Sequence, residues 1–227
     1  MLNETLLPET VLKWGPVEVT STVIYSLIVS AVLIVLAIIA RLGLKTSSSS
    51  LALMFESLLD SLDGILRDMA SCDPRPYSPL VITLTLFIGV SNLSGLFPGM
   101  HAPTADISTT TALAIIVFIA VPFYGIRAQG LRGYLRHYVE PSILFLPLEL
   151  IAELSRTISL AVRLFGNIMS EEMVIAVLLS IAGLIVPVPI MMLSVLTGIV
   201  QAYIFAVLTI VYLSAAIRTG QQETGTP

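Results

Sequence analysis

Residues Val23–Ile39 form an unbroken run of 17 residues without a charge, and apolar runs of similar length recur along the chain with turn-like breaks between them. A helix needs about 20 residues to cross about 30 Å of hydrocarbon at 1.5 Å per residue. This recurrence narrows the fold severely. In lipid every backbone N–H and C=O must be satisfied internally, which leaves only helices and closed barrels. Barrel strands are segments of about ten residues with alternating polarity, and Val23–Ile39 has no such alternation. The chain is therefore an all-α integral membrane protein, and the 56% hydrophobic and 11% charged composition agrees.

The N-terminus, MLNETLLPET, has no basic residue before Lys13, so it lacks the positive start of a cleavable leader and the first apolar run is expected to stay. Cys72 is the single cysteine, which excludes an intrachain disulfide and a cysteine-built metal site and leaves an ordinary loop thiol. The net charge of −4 says little about partners, because the charges are sorted by position along the chain.

The chain reads as one membrane domain over 1–227 with about five crossings. An outside segment at 1–18 precedes span one at 19–41, and spans two and three lie at 79–97 and 107–127. Between spans one and two, in the stretch 51–70, Leu51, Met54, Phe55, Leu58, Leu59, Leu62, Leu66 and Met69 follow helical spacing, while Glu56, Asp60, Asp63 and Asp68 take the other face. That predicts an interfacial amphipathic helix, too polar to span. Two long apolar helices follow at 142–182 and 187–217, split by Gly183 and Pro187-Val188-Pro189. Both exceed an upright span, which predicts strong tilt or a kink.

Five crossings put Arg41, Lys45, Arg67, Arg75, Arg127, Arg132, Arg136 and Arg218 on one side and only Lys13 on the other. Basic loops stay in the cytoplasm. The expected protein is multi-pass in a bacterial or archaeal plasma membrane, N-terminus outside and C-terminus cytoplasmic. Arg156 and Arg163 complete the 11 basic residues and fit no loop.

A central arginine costs about 2.5–3.5 kcal/mol on insertion scales, so it faces protein or water. At about 100° per residue, Glu149, Arg156, Ser159, Asn167 and Ser170 lie within about 40° of Arg163, one narrow polar stripe. Glu172 falls about 180° from Arg163 and opens to a different polar space. Arg156 lies within helical reach of Glu149 and Glu153, so a structural ion pair and a functional role both stand. Arg163 has no acid three or four residues away. Its counter-charge must come from elsewhere in the fold or from another chain.

The last helix offers Ser194, Thr197, Gln201 and Tyr212 on one face, and no carboxylate from Pro187 to Arg218. Such groups serve either as helix–helix glue or along an ion path; for Gln201 and Tyr212 both readings stand.

The stretch RLFGN (163–167) with Glu171-Glu172, the helix VQAYIFAVLTIVYLSAAI (200–217) and the earlier PTADIST (103–109) together resemble subunit a of the F-type ATP synthases, over roughly residues 77–217. The resemblance implies a stator subunit whose tilted last two helices curve round a rotating ring of small two-helix subunits, each carrying one ion on a carboxylate. It further implies two aqueous half-channels, with Arg163 between them, and a peripheral-stalk subunit as a second partner. Asn167 and Gln201 match polar partners near the arginine, and Glu172 matches the ionisable residue of the outer half-channel. Ser194 stands where several relatives carry histidine or glutamate, so Glu171, Asp106 or His101 would have to compensate. Asp106 also fits an N-cap of span three. His101 and His137 read as loop residues, since neither has a second ligand at useful spacing.

The resemblance implies a transported proton, or else sodium, and the choice is not written in this chain because the ring would hold the binding site. A secondary transporter and a non-transporting scaffold are the alternatives. The first usually shows repeated halves, which this chain lacks, and the second leaves Arg163 unexplained. With no GxxxxGK, HExxH or serine–histidine–acid grouping, the chain is expected to catalyse nothing alone, to need no cofactor or metal and to bind no nucleic acid.

Overall fold

The structure, a computed structural model, describes residues 10–14, 17–46, 50–70, 74–96, 100–139, 146–183 and 185–218. Cys72 and most of the segment 1–18 lie outside them. Before the first helix, β1 (Thr10–Trp14) and β2 (Val17–Thr20) pair antiparallel, with Lys13 opposite Glu18 and Trp14 opposite Val17. Apart from this hairpin and a short 3-10 turn at Pro103–Ala105, the described elements are α-helices, as an all-α membrane protein requires.

Helix α1 (Ser21–Thr46) turns most of its apolar side chains outward, Leu27 being 63% and Ile34 59% exposed. On a soluble protein such a surface would aggregate; here it meets hydrocarbon. Helix α2 (Ser50–Met69) is amphipathic: Leu66 enters the core while Glu56, Asp60 and Asp68 stay exposed. The side chains of Leu51, Met54 and Phe55 are outside the described set. Asp63 pairs with Arg67 at 2.8 Å and accepts the Ser78 hydroxyl at 3.1 Å, tying α2 to the start of the next helix. The hydrogen bond from Arg67 is the main cause that holds the Asp63 carboxyl below its ordinary range.

Helix α3 (Ser78–Ser94) has 17 residues and is the shortest of the apolar helices. Among the described residues four helices are longer and apolar enough to cross a membrane: α1, α4 (Ile107–Val139), α5 (Leu146–Ala182) and α6 (Val188–Arg218). The span expected to end at 127 breaks at Gly130, whose φ of 78° and ψ of 161° are non-helical and open cheaply only to glycine, and a second helical segment carries α4 on to Val139. His137 therefore sits on a helical backbone and not in a loop. Helices α5 and α6, 37 and 31 residues long, measure about 55 and 46 Å at 1.5 Å per residue, so they lean or project beyond the hydrocarbon. Gly183, at φ 71°, ends α5 in a left-handed cap, and Pro187 opens α6 by accepting the Met191 N–H at 2.9 Å.

The core forms where α3 and α4 pack on α6 and α4 packs on α5. Ile88 of α3, Val117 of α4, Leu164 of α5 and Phe205, Ile210 and Leu213 of α6 fill it. These packed layers fix the angular setting of α5 and α6, and hence which way their polar residues point.

Candidate functional site

Polar residues of α5 and α6 meet across their seam in a regular order. Asn167 Nδ2 donates to Gln201 Oε1 at 2.9 Å. Four residues further along α5, and four residues back along the antiparallel α6, the Thr197 hydroxyl donates to Glu171 Oε1. In the other direction, eleven residues before Asn167 and eleven after Gln201, the Arg156 guanidinium lies 5.9 Å from the centre of the Tyr212 ring, a cation–π contact. Gln201 is only 3% exposed, yet its Nε2 finds no partner among the described residues, and the same holds for the buried Ser194 hydroxyl oxygen.

Arg163 stands apart from this seam. It is exposed, and it makes no hydrogen bond or ion pair with any described residue. Its neighbours Leu160 and Leu164 are buried in the core, so the α5 backbone holds the guanidinium away from the chain's own interior. Glu149, Arg156, Ser159, Asn167 and Ser170, the residues of the predicted stripe, are exposed too. Among the described residues, α6 touches this stripe at Asn167 and Arg156, and the face around Arg163 stays exposed.

Glu172 points elsewhere, as the half-turn offset from Arg163 predicts. Its Oε1 accepts the Ala102 N–H at 2.7 Å and its Oε2 lies 3.3 Å from His101 Nδ1, so both oxygens engage the loop between α3 and α4. The hydrogen bond to Glu172 raises the His101 pKa above its ordinary 6.5. The loop is held in turn by Asn92 of α3, which donates from Nδ2 to Gly198 O of α6 at 2.9 Å and accepts at Oδ1 from the Thr104 hydroxyl at 2.6 Å. Asp106 accepts the Ser108 N–H at 2.9 Å and the Ser108 hydroxyl at 2.7 Å, the geometry of an N-cap at the start of α4.

At the opposite end of the same bundle a cavity of about 210 Å³ opens between α4, α5 and α6, lined by Glu149, Glu153, Arg156, Tyr212, Gln129 and Tyr134. Gln129 Nε2 donates to Ala216 O there and closes one wall.

The structure brings Asn167 to Gln201 and Arg156 to Tyr212, and it leaves Ser194 bonded to neither glutamate. His101, expected as an ordinary loop residue, is a loop residue that pairs with Glu172. Asn92 and Thr104 carry weight that sequence reasoning missed; the signal was an amide inside an otherwise apolar helix, in SNLSG at 91–95. Among the described residues no three histidines, cysteines or acids gather as a metal site would require.

The family described as "ATP synthase A chain" matches this chain over residues 23–214. A protein named "ATP synthase subunit a 2" from a Bradyrhizobium species is 44% identical over 203 residues, covering 89% of this chain and 91% of its own. "ATP synthase subunit a 1" of Hahella chejuensis is 43% identical over 213 residues, covering 94% and 89%. "ATP synthase subunit a" of Albidiferax ferrireducens is 40% identical over 220 residues and covers 94% of each chain.

Proposed function

The chain belongs to the ATP synthase A chain family, and from that premise we propose that it is the stator subunit through which ions reach and leave a rotating ring of small two-helix subunits, each with one buried carboxylate. The observation that carries this reading is Arg163: a permanent cation in a spanning helix, exposed, with no ion pair to a described residue of its own chain. A guanidinium in that position needs a counter-charge, and a carboxylate arriving on a ring supplies one.

Arg163 then works by attraction. An ion-loaded ring carboxyl must release its cation before it can pass, and the carboxylate left behind is drawn to the guanidinium. Because guanidinium does not lose its proton in a protein, it blocks direct leakage between the two sides without relaying a proton itself. The cavity lined by Glu149, Glu153, Arg156 and Tyr212 forms the cytoplasmic half-channel, and the end carrying Glu171 and Glu172 forms the outer one. The transmembrane potential, about 2.3 kcal/mol per charge per 100 mV, biases the direction of rotation. The ion is a proton or sodium, chosen by the ring. With α3 as a fifth crossing, the N-terminus lies outside the bacterial plasma membrane, the C-terminus lies in the cytoplasm, and a peripheral-stalk subunit holds the chain still. The chain itself catalyses nothing.

The test is Arg163→Ala in the assembled complex in membrane vesicles. ATP-driven ion uptake is expected to vanish while passive conduction persists or grows. Arg163→Lys is expected to fail as well, since a compact ammonium lacks the planar fork and can lose its proton. Coupled pumping at the wild-type rate in either variant would sink the reading.

A further inference from the structure

Arg156 makes no ion pair with a described residue, although Glu153 lies three residues away on the same helix. Its guanidinium lies instead 5.9 Å from the centre of the Tyr212 ring, across the seam on α6. Resting on the stator reading above, we propose that Tyr212 positions Arg156 as a second working cation, which weakens the hold of Glu149 and Glu153 on an ion waiting in the cavity between α4, α5 and α6.

Charges follow one another along α5 in a fixed order. Glu149 and Glu153 come first, Arg156 next and Arg163 last; at 1.5 Å per residue the first three precede Arg163 by about 21, 15 and 10.5 Å. Arg156 and Arg163 lie about 20° apart on the projection, and both are exposed. The charged and titratable groups that line the cavity are Glu149, Glu153 and Arg156 of α5, Tyr134 of α4 and Tyr212 of α6, so among the described residues Arg156 is its one cation. An ion that enters is drawn by two carboxylates and then meets the field of that cation before it reaches the ring. Two carboxylates alone would make a trap, because conduction needs binding favourable enough to enter and weak enough to leave. Arg156 offsets their attraction as long as its guanidinium stays off them; salt-bridged to Glu153, it would cancel a charge the ion needs.

Tyr212 is suited to keep it off. A cation–π contact, unlike an ion pair, holds a guanidinium in place and leaves its net charge uncancelled. The platform itself is fixed. Ile210 and Leu213, on either side of Tyr212, are each 0% exposed in the core. Ser214 shares a hydrogen bond of 3.0 Å with the Tyr77 hydroxyl at the start of α3. Gln129 of α4 caps the Ala216 carbonyl, one of the last carbonyls of α6, for which the helix has no donor of its own. The final turns of α6 are thus fastened to α3 and α4, and the aromatic ring is presented to α5 from a frame that does not depend on Arg156. The pairing open to Arg156 within its own helix, with Glu153 one turn back, is the competing state.

The experiment uses the assembled complex in inverted membrane vesicles, whose outer surface is the cytoplasmic one. ATP-driven uptake is followed with a pH-sensitive dye as external pH is varied, and with a sodium radiotracer as external sodium is varied. The quantity compared is the concentration of the transported ion at half the maximal rate. Arg156→Gln removes the offsetting charge, so this concentration is expected to fall by about threefold or more, the scale of one unit charge at close range in a watery site. Tyr212→Leu removes the platform and releases the guanidinium to Glu153, so the concentration is expected to rise by about threefold or more. Tyr212→Phe keeps the ring face and is expected to lie closer to wild type than Tyr212→Leu. A merely structural contact would lower the maximal rate and leave the half-saturating concentration in place. That result in Arg156→Gln, or a fall in Tyr212→Leu, overturns the proposal. Should either variant fail to assemble, the other decides alone, by the sign of its shift. Arg163→Ala, run beside them, separates the failures: if it pumps normally, the stator reading falls; if it does not and Arg156→Gln leaves the concentration unmoved, only the role of Arg156 falls.

Discussion

Replacing Asn92 by alanine removes one side chain that ties three parts of the chain together. Its amide joins α3 to the Gly198 carbonyl of α6 at 2.9 Å and to the Thr104 hydroxyl at 2.6 Å, and it is 8% exposed beside a Thr104 that is 0% exposed. The Gly198 carbonyl lies inside α6, so it loses only an interhelical contact, worth about 0.6 kcal/mol in membrane proteins. The Thr104 hydroxyl is stranded in the interior, at about 1–3 kcal/mol. Together the cost is about 2 kcal/mol. Thr104→Val alone strands Asn92 Oδ1 and is expected to cost about 1 kcal/mol or more. The double variant Asn92→Ala/Thr104→Val leaves neither hydrogen-bonding group behind, so it should be milder than the sum of the singles by about 1 kcal/mol. Detergent-driven unfolding in mixed micelles, followed by circular dichroism, measures all three. Losses that add to within about 0.3–0.5 kcal/mol, or a neutral Asn92→Ala, would refute the reasoning that these groups act as one unit.

The raised His101 pKa makes its contact with Glu172 dependent on pH: the contact contributes fully below the ordinary 6.5 and is lost as pH climbs through the raised value. Histidine NMR on wild type and Glu172→Gln is expected to show the titration midpoint of His101 falling in the variant, and an unmoved midpoint would reject the pairing. Cysteines placed one at a time along Asn167–Val174, in a background with Cys72→Ser, are expected to react with a hydrophilic thiol reagent applied from outside; labelling from the cytoplasmic side alone would reverse the assigned orientation.

The helices were legible because lipid leaves the backbone few choices: the uncharged run of α1, the two-faced pattern of α2 and the Gly183 break between α5 and α6 each mark an element directly. The charged face of α5 was legible too, since an angular projection needs only the sequence, and the structure leaves that face exposed. The pairing of Glu172 was not, because its strongest partner is a backbone N–H, that of Ala102, which has no signature in sequence. The helical segment after Gly130, which reaches Val139, was not legible, because nothing apolar and periodic marks it once the span has ended. The Glu171–Thr197 rung had a visible trace in hindsight: Asn167 and Glu171, like Thr197 and Gln201, are four residues apart, the spacing of one helix face.

The opposed stepping of α5 and α6 bears on how such a chain can change over time. Arg156 to Glu171 and Thr197 to Tyr212 are equal intervals of sequence, and the contacts at their ends and middle all depend on that equality. A single substitution disturbs one contact and can be reversed or compensated locally. One inserted or deleted residue within either interval rotates everything beyond it by about 100°, breaking several contacts at once and turning the exposed cations toward lipid. Loop length and the lipid-facing side chains of α1 carry no such constraint, so an insertion within either of these two segments is expected to cost far more than one in a loop.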